Sequence, residues 1–256
     1  PVSPHINFNN EEDFTTFNVV IKADNSYNDD WPTLHADFTF FGGVYRDVNL
    51  VVTEKVHFNI EEYAANGVFV TTPHVSDERG DVNLKLRIKN DDLKPRMVSL
   101  RTEVYSPDQK LVSEKIKRVT LPASSANDYE LSLEPIATPQ LWSPDTPDLY
   151  RVVAEIIDTE TGVLLDSSVN PLGFRWFRFD VEEGFFLNGE PLKLIGTNRH
   201  QDFHDIGNAL PDHIHIEDLK RMKAMGSNFL RIAHYPQDPT VLELADRLGI
   251  LTSVET

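Results

Sequence analysis

The spacing of apolar residues changes near Arg178, and this change limits the possible folds of the 256-residue chain more than any other feature. Before it, apolar and polar residues alternate in short runs, which is typical of β-strands with one buried face. After it, strand-like runs alternate with stretches of helical period, which indicates a parallel sheet covered by helices. We therefore expect a β-rich part followed by an α/β part, with domains at residues 1–55, 56–178 and 179–256.

Evenly spaced strand candidates fill residues 56–178, with turn signals such as Ser106-Pro107-Asp108 between them. The alternating apolar positions are Val82, Leu84, Leu86, Ile88, Val98, Leu100, Thr102, Val104, Tyr150, Val152, Ala154 and Ile156. About seven short strands in roughly 120 residues predict an immunoglobulin-like β-sandwich.

Residues 1–55 are also predicted to be β-structure. Apolar and polar residues alternate over residues 17–24, an aromatic run occupies residues 38–41, and a further strand is expected near residues 44–52. Because about three strands cannot close a sandwich by themselves, we expect this segment to be the final part of a larger β domain.

The last third of the chain predicts a hairpin followed by a β-α-β-α-β unit. Asn188-Gly189 suits a type I′ turn between strands at residues 185–187 and 191–195, and further strands are expected at residues 192–197, 229–233 and 250–254. The residues expected on buried helix faces are Ile216, Leu219, Met222 and Met225 in the first helix, and Val241, Leu242, Leu244, Ala245 and Leu248 in the second.

The ends of these helices carry recognisable signals. Gly226 is expected to end the first helix, while Asp238 and Pro239 are expected to begin the second and Gly249 to end it. A three-stranded parallel sheet with bare edges is a poor domain, so we expect a truncated (β/α)₈ barrel with exposed apolar surface around Leu248, Ile250 and Leu251.

Polar residues cluster where the three predicted parallel strands end. Asn198, Arg199 and His200 follow the first strand, Arg231 and His234 belong to the second, and Glu255 follows the third. In a barrel these ends meet at one mouth, and such donors and acceptors suit a ligand rich in hydroxyl groups.

Structural explanations for the same residues stay open. The two histidines could be buried in the fold, the arginines could pair with barrel acids, and Glu255 could be an ordinary surface acid. For the aromatic residues Phe38, Phe40, Phe41 and Tyr45, packing is favoured over a sugar-stacking platform.

Composition excludes several other functions. The net charge of −17 argues against a nucleic-acid partner, and the absence of cysteine excludes a Cys-ligated zinc. No run of apolar residues is long enough for a membrane helix, so we expect a soluble protein and leave its compartment, periplasmic or cytoplasmic, open.

A divalent-metal hydrolase is a weak alternative. Its candidate ligands are His200, His204, His213 and His215, together with Asp202, Asp205 and Asp212. The first pair lies in a predicted loop and the His-Glu-x-x-His pattern is absent, so the spacing gives this alternative little support.

Several motifs together resemble those of family 2 glycoside hydrolases, in the order found in that family. They are Gly42-Gly43-Val44-Tyr45-Arg46-Asp47-Val48, the segment at residues 141–150, Gly173-Phe174-Arg175, Phe186-Leu187-Asn188-Gly189, and the segments at residues 196–202 and 229–236. The resemblance implies an immunoglobulin-like sandwich flanked by a partial jelly roll and a truncated TIM barrel.

The resemblance also implies a retaining exo-β-glycosidase, with β-galactosidase as the first candidate, followed by β-glucuronidase and β-mannosidase. Such enzymes use two glutamates about 5–5.5 Å apart, one as acid/base and one as nucleophile. In the family these follow the fourth and seventh barrel strands, which this sequence does not contain, and Asn10-Glu11 in the β-rich start is no substitute. We therefore expect no catalysis by this chain alone, and no cofactor requirement; a non-catalytic, carbohydrate-contacting β-sandwich module is the alternative.

By the same resemblance, individual residues acquire expected roles. His200 and His234 match sugar-subsite histidines, and Arg231 matches an arginine that supports the catalytic centre. Asp37 matches an acid that binds sugar hydroxyls and, in some galactosidases, sodium, while Glu255 matches a magnesium ligand of some galactosidases. The expected partner is a β-galactoside or related β-glycoside, and assembly into a homo-oligomer is left open.

Overall fold

The structure is a computed structural model that describes residues 19–27, 29–30, 38–63 and 65–255. The described residues form sixteen strands and two helices. The strands are β1 (Val56–Phe58), β2 (Val68–Thr71), β3 (Arg79–Gly80), β4 (Asn83–Asn90), β5 (Arg96–Tyr105), β6 (Leu111–Leu121), β7 (Ser125–Ser132), β8 (Ile136–Ala137), β9 (Tyr150–Asp158), β10 (Leu164–Leu172), β11 (Phe177–Asp180), β12 (Gly184–Leu187), β13 (Glu190–Pro191), β14 (Gly196–Arg199), β15 (Phe229–Ile232) and β16 (Leu251–Val254). The helices are α1 (Asp212–Ala224) and α2 (Pro239–Leu248).

Two antiparallel sheets form the predicted immunoglobulin-like sandwich. In the first, β4 pairs with β7 along one edge and with β1 and β2 along the other. The second has the order β10-β9-β5-β6, and β3 and β8 form a small separate sheet. Strands with one face on a core alternate buried residues with more accessible ones, and β4 alternates buried and half-buried residues along its length.

The core of the sandwich confirms the predicted alternation. All twelve positions predicted for the buried face of β4, β5, β9 and the residues beside them are buried, and eleven of them are apolar, the exception being Thr102. Phe174 packs edge-to-face on Tyr150, with ring centroids 4.9 Å apart, and closes one end of this core.

The first segment differs from the sequence prediction. Among the described residues between 19 and 55, none belongs to a strand, so the predicted strands at residues 19–24 and 44–52 are wrong. Residues 17, 18 and 37 lie outside the described residues. Alternation of side chains is not sufficient for a strand, because a β-ladder also needs a neighbouring strand to satisfy its backbone N–H and C=O groups.

A three-stranded antiparallel sheet, β11-β12-β13, follows the sandwich. Asn188 (φ 52°) and Gly189 (φ 86°) connect β12 to β13, so the predicted type I′ turn is confirmed. The returning strand ends at Pro191 rather than at residue 195.

The chain then forms the predicted β-α-β-α-β unit. Strands β14, β15 and β16 are parallel neighbours in that order, and α1 and α2 connect them. The first strand lies at Gly196–Arg199, later than predicted. Leu219, Leu230, Ile232, Val241, Ala245 and Ile250 form the core between helices and sheet.

Four apolar positions of this unit differ from prediction. Ile250 and Leu251 are 2% and 7% exposed, so the expected apolar surface is absent at these two residues. Met225, at the C-cap of α1, is 69% exposed, and Leu242 is 40% exposed because it lies on the outer side of α2, next to buried Val241. Neither helix is long and apolar enough to span a membrane in the part of the chain that the structure describes.

Direct contacts join the sandwich to the parallel sheet. Trp142 is buried against Leu187 and Leu251, and its indole Nε1 donates to the carbonyl oxygen of Asp246 at 2.7 Å. Lys223 Nζ donates to the carbonyl oxygens of Pro144 and Gly249 at 2.7 and 3.1 Å. The two parts therefore share a packed, hydrogen-bonded boundary.

Candidate functional site

The carboxyl ends of the three parallel strands meet at one edge of the sheet. His200 follows β14, His234 lies two residues after β15, and Glu255 follows β16. The ring centroids of His200 and His234 are 5.0 Å apart. The side chains thus lie together at this edge, as the order of the strands predicts, and the space that they border is called the hollow below.

Arg231, His234 and Glu255 form a polar cluster in this hollow. Arg231 Nη2 lies 2.5 Å from Glu255 Oε1, and His234 Nδ1 lies 3.1 Å from Glu255 Oε2 and 3.2 Å from Arg231 Nη2. A protonated Nδ1 donates to Glu255, whereas an unprotonated one accepts from Arg231. The side chains of Arg231, His234 and Glu255 are 47%, 35% and 32% exposed, and Glu255 Oε1 itself is buried. The nitrogen atoms of Arg231 and His234 that face away from Glu255 are therefore the ones available to a ligand.

An aromatic side chain from the first segment covers one side of the histidines. The Phe38 ring centroid is 5.5 Å from those of His200 and His234, and 5.4 Å from that of Tyr235. Arg46 Nη2 donates to the carbonyl oxygen of Pro236 at 2.5 Å, which holds the same segment against the strand ends. Phe38 therefore provides an apolar wall, consistent with a packing role.

The other aromatic candidates contribute less to the site. Phe40 and Phe41 are 46% and 36% exposed, while Tyr45 is half-buried. The candidate Asp37 lies outside the described residues. Its neighbour Phe38 belongs to the hollow, as given above.

Arg199 is separated from this hollow, although the sequence grouped it with the site. It is 6% exposed, and its guanidinium donates to Asp218 Oδ2 at 3.0 Å, Gln237 Oε1 at 2.9 Å and His215 Nδ1 at 3.1 Å. Neighbouring residues of a strand face opposite sides, so Arg199 points toward α1. The geometry of Arg199 therefore matches the structural alternative, in which the arginine pairs with an acid of the barrel segment, here Asp218.

Asn198 points to the other side of β14. It is exposed and lies opposite Arg231 in the parallel register. Asn198 therefore belongs to the face that carries the polar cluster.

A buried polar layer behind the site was not predicted. His215, Gln201 and Gln237 are 0%, 1% and 6% exposed. Burial lowers the pKa of His215, and Arg199 beside it lowers that pKa further, so His215 is neutral at pH 7 and accepts from Arg199. Its position four residues before Leu219, on the buried stripe of α1, was the available sequence signal.

Tyr235 connects this layer to the hollow. Burial raises the pKa of its hydroxyl group, which accepts from the backbone N–H of Gln201 at 3.1 Å. The ring is also 5.9 Å from that of His200. Tyr235 is therefore a neutral group that contacts both.

The metal-hydrolase alternative lacks a ligand set among the described residues, since nowhere do three His, Asp or Glu side chains lie together as a metal site requires. His204 is 88% exposed and pairs with Asp205, while His215 is buried beside Arg199. The magnesium role expected for Glu255 stays a prediction; among the described residues its carboxylate is paired with Arg231 and His234.

Two models of one protein family match the chain. The model "Glycosyl hydrolases family 2" matches residues 64–175, and "Glycosyl hydrolases family 2, TIM barrel domain" matches residues 180–256. The matched regions coincide with the sandwich and with the segment that carries the polar cluster.

Relatives whose names state an activity are similar to this chain over most of its length. A β-glucuronidase of Bacteroides fragilis is 35% identical over 93% of the chain, and a β-galactosidase of Thermoanaerobacter pseudethanolicus is 27% identical over 99%. The crystal structure of Bacteroides uniformis β-glucuronidase is 43% identical over 90% of the chain, with a TM-score of 0.88. The chain spans 34%, 32% and 27% of the lengths of these three proteins, respectively.

Proposed function

Because this chain belongs to glycosyl hydrolases family 2, we propose that it supplies the sugar-binding side of a β-glycosidase active site. The observation that carries the proposal is the meeting of His200, His234 and the Arg231–Glu255 pair at the ends of three parallel strands. Sugar hydroxyls need donors and acceptors together, and this hollow offers both beside an apolar wall.

Each side chain has a role that follows from its contacts. The imidazoles of His200 and His234 are proposed to bind sugar hydroxyls, and Phe38 to face the apolar C–H surface of the ring. Arg231 is proposed to hold Glu255 in place through their direct contact. Asp37, next to Phe38 in the sequence, is proposed as a further hydroxyl ligand, and Asn198 as a contact on the same face.

We propose a β-glucuronide as the substrate, with a β-galactoside as the second candidate. The sequence alone favoured the galactoside. Support for the glucuronide is the 43% identity to the Bacteroides uniformis enzyme, against 27% for the Thermoanaerobacter β-galactosidase. The residues of the hollow suit hydroxyl groups, which both sugars carry.

We further propose that the 256 residues by themselves do not hydrolyse glycosides. Retaining hydrolysis needs two carboxyl groups about 5–5.5 Å apart. Glu255, the carboxylate of the described cluster, is engaged by Arg231 and His234. The proposed domains are residues 1–55, 56–178 and 179–256, and the matched regions 64–175 and 180–256 support the last two.

The test is an assay of the gene product in which these residues occur, on aryl β-glucuronide and aryl β-galactoside. We expect hydrolysis, and we expect His200→Ala and His234→Ala to lower kcat/KM about ten- to a hundredfold, because each leaves a sugar hydroxyl without its partner. His204→Ala is the matched control, since that histidine is exposed and outside the hollow. Inactivity on all β-glycosides, or equal losses in the control, would contradict the proposal.

A further inference from the structure

Two buried glutamine side chains connect the loops that carry His200 and His234. Gln201 follows His200 directly, and Gln237 lies three residues after His234. Both are more than nine-tenths buried, which is unusual for glutamine unless its amide is fully hydrogen-bonded. The Gln237 side chain bonds to the backbone at the end of β14, and the Gln201 side chain bonds to the backbone of the loop after β15.

Gln237 bonds to the residues that immediately precede the two histidines. Its Nε2 donates to the carbonyl oxygen of Arg199 and, at 3.2 Å, to that of Ala233. Its Oε1 accepts from Arg199 Nη1 at 2.9 Å. A primary amide has two N–H groups, so one side chain fixes both peptide units that lead into the pair.

Gln201 makes the reciprocal connection. Its Oε1 accepts from the backbone N–H of Asp238 at 2.5 Å, and its Nε2 donates to the carbonyl oxygen of Asn208 at 3.2 Å. The loop after β14 and the loop after β15 are thus tied in both directions. Beyond the backbone hydrogen bond from Ala233 N–H to the carbonyl oxygen of Arg199, these amides take the place of a backbone ladder between the two loops.

We propose that Gln237 is a positioning residue that sets the separation and orientation of His200 and His234. The positioning of the two histidines is argued from these hydrogen bonds alone. Its effect on substrate binding rests on the proposed function. Without the two donated hydrogen bonds, the Ala233 carbonyl loses its bond from Gln237, and the Arg199 carbonyl keeps only the bond from the backbone N–H of Ala233 at 3.3 Å. Both residues are buried, so we expect the loops to move until these carbonyl groups are satisfied again. Displacement of about 1 Å at such a site can lower the rate on the order of 10²-fold.

The test uses the whole chain and the NMR signals of the histidine ring protons. Gln237→Glu keeps an acceptor for Arg199 but replaces the two donations with oxygen facing oxygen. Gln237→Met removes the polar group without adding a charge, and it serves if the first variant does not fold. In both we expect the His200 and His234 signals to lose the shifts caused by their ring contacts and to approach those of exposed His204.

The matched control is Asn90→Asp in the sandwich. Asn90 is 1% exposed, and its Nδ2 donates to the carbonyl oxygens of Lys94, Leu121 and Pro122. The control should lower stability and leave the signals of the pair unchanged.

Two results would overturn the inference. In the first, the pair's signals stay unchanged in both Gln237 variants. In the second, the parallel sheet unfolds in both, which would make Gln237 a determinant of the fold instead. The proposed function is tested separately by adding glucuronic acid or galactose to the unmodified chain and recording the same histidine NMR signals.

Discussion

Two arginines show how burial and partners decide the role of a residue. Arg231 and Arg199 both lie on parallel strands, yet Arg231 faces the hollow beside Glu255, while Arg199 faces α1 beside Asp218. The alternation of a strand separates them: Arg231 lies opposite Asn198 in the register, and Arg199 lies opposite buried Ile232. From residue type alone, both arginines were expected to belong to the site.

Asp158 gives a prediction for stability at low pH. Its Oδ2 accepts from Arg96 at 2.6 Å and its Oδ1 from the backbone N–H groups of Glu160 and Thr161 at 2.9 Å. The hydrogen bond from Arg96, followed by that from Thr161 N–H, lowers the pKa of Asp158 from 3.8 to about 2. A lowered pKa stabilises the fold above the unfolded value, and this contribution, about 2 kcal/mol, is lost as the pH falls from about 4 toward 2.

We expect Asp158→Asn to lower the free energy of unfolding at pH 7 and to flatten its fall between pH 4 and pH 2, measured by urea unfolding. Asp108→Asn, in an exposed turn, is the control and should keep the slope of the unmodified chain. Parallel slopes for Asp158→Asn and the unmodified chain would contradict this account.

The second helix shows how far local signals can specify an element. The Asp238 side chain accepts from Thr240 N at 2.9 Å, Pro239 occupies the first turn, and Gly249 ends the helix at φ 70°. By contrast, α1 begins after Pro211, which provides no side-chain cap. Local chemistry therefore defines both ends of α2, whereas packing of Leu219 and His215 contributes more to α1.

Removal of the N-cap of α2 should lower the free energy of unfolding. Asp238→Ala leaves Thr240 N–H without its side-chain acceptor, and we expect a loss of about 1 kcal/mol in the free energy of unfolding. Asp238→Ser keeps an acceptor at the same position and should restore most of the loss. Equal destabilisation by alanine and serine in chemical denaturation would show that the cap does not matter.

At the scale of the whole molecule, the sandwich and the parallel sheet depend on a narrow contact. Gly249 packs on Pro144 so closely that a Cβ atom there would lie 2.4 Å from the Pro144 carbonyl oxygen. Lys223 bridges the same two residues, and Trp142 bonds to α2. The end of one helix thus determines how the two parts fit together.

Gly249→Ala should weaken the contact between the sandwich and the parallel sheet by more than backbone strain alone explains. The left-handed conformation costs an alanine roughly 1–2 kcal/mol, and the clash with Pro144 adds to it. Gly226→Ala is the matched control, because Gly226 also has positive φ (90°) but open space around it. We expect faster hydrogen exchange across α2 and β16 in Gly249→Ala only; similar exchange in both variants would contradict a role for the contact.

Much of the fold was determined by the sequence through local periodicity. The alternation in β4, β5 and β9, the Asn188-Gly189 turn and the ends of α2 each depend on residues close together in the chain, so they could be predicted. The absence of strands between residues 19 and 55, within the part described, could not, because strands depend on distant partners.

The candidate site divides in the same way. The sequence placed His200, His234, Arg231 and Glu255 at the ends of successive strands, and their parallel order brings them together. Only the tertiary structure turned Arg199 toward α1, packed Phe38 on the histidines and used Gln237 to tie both loops. Periodicity acts within one element, whereas burial and hydrogen bonding between elements depend on how all of them pack.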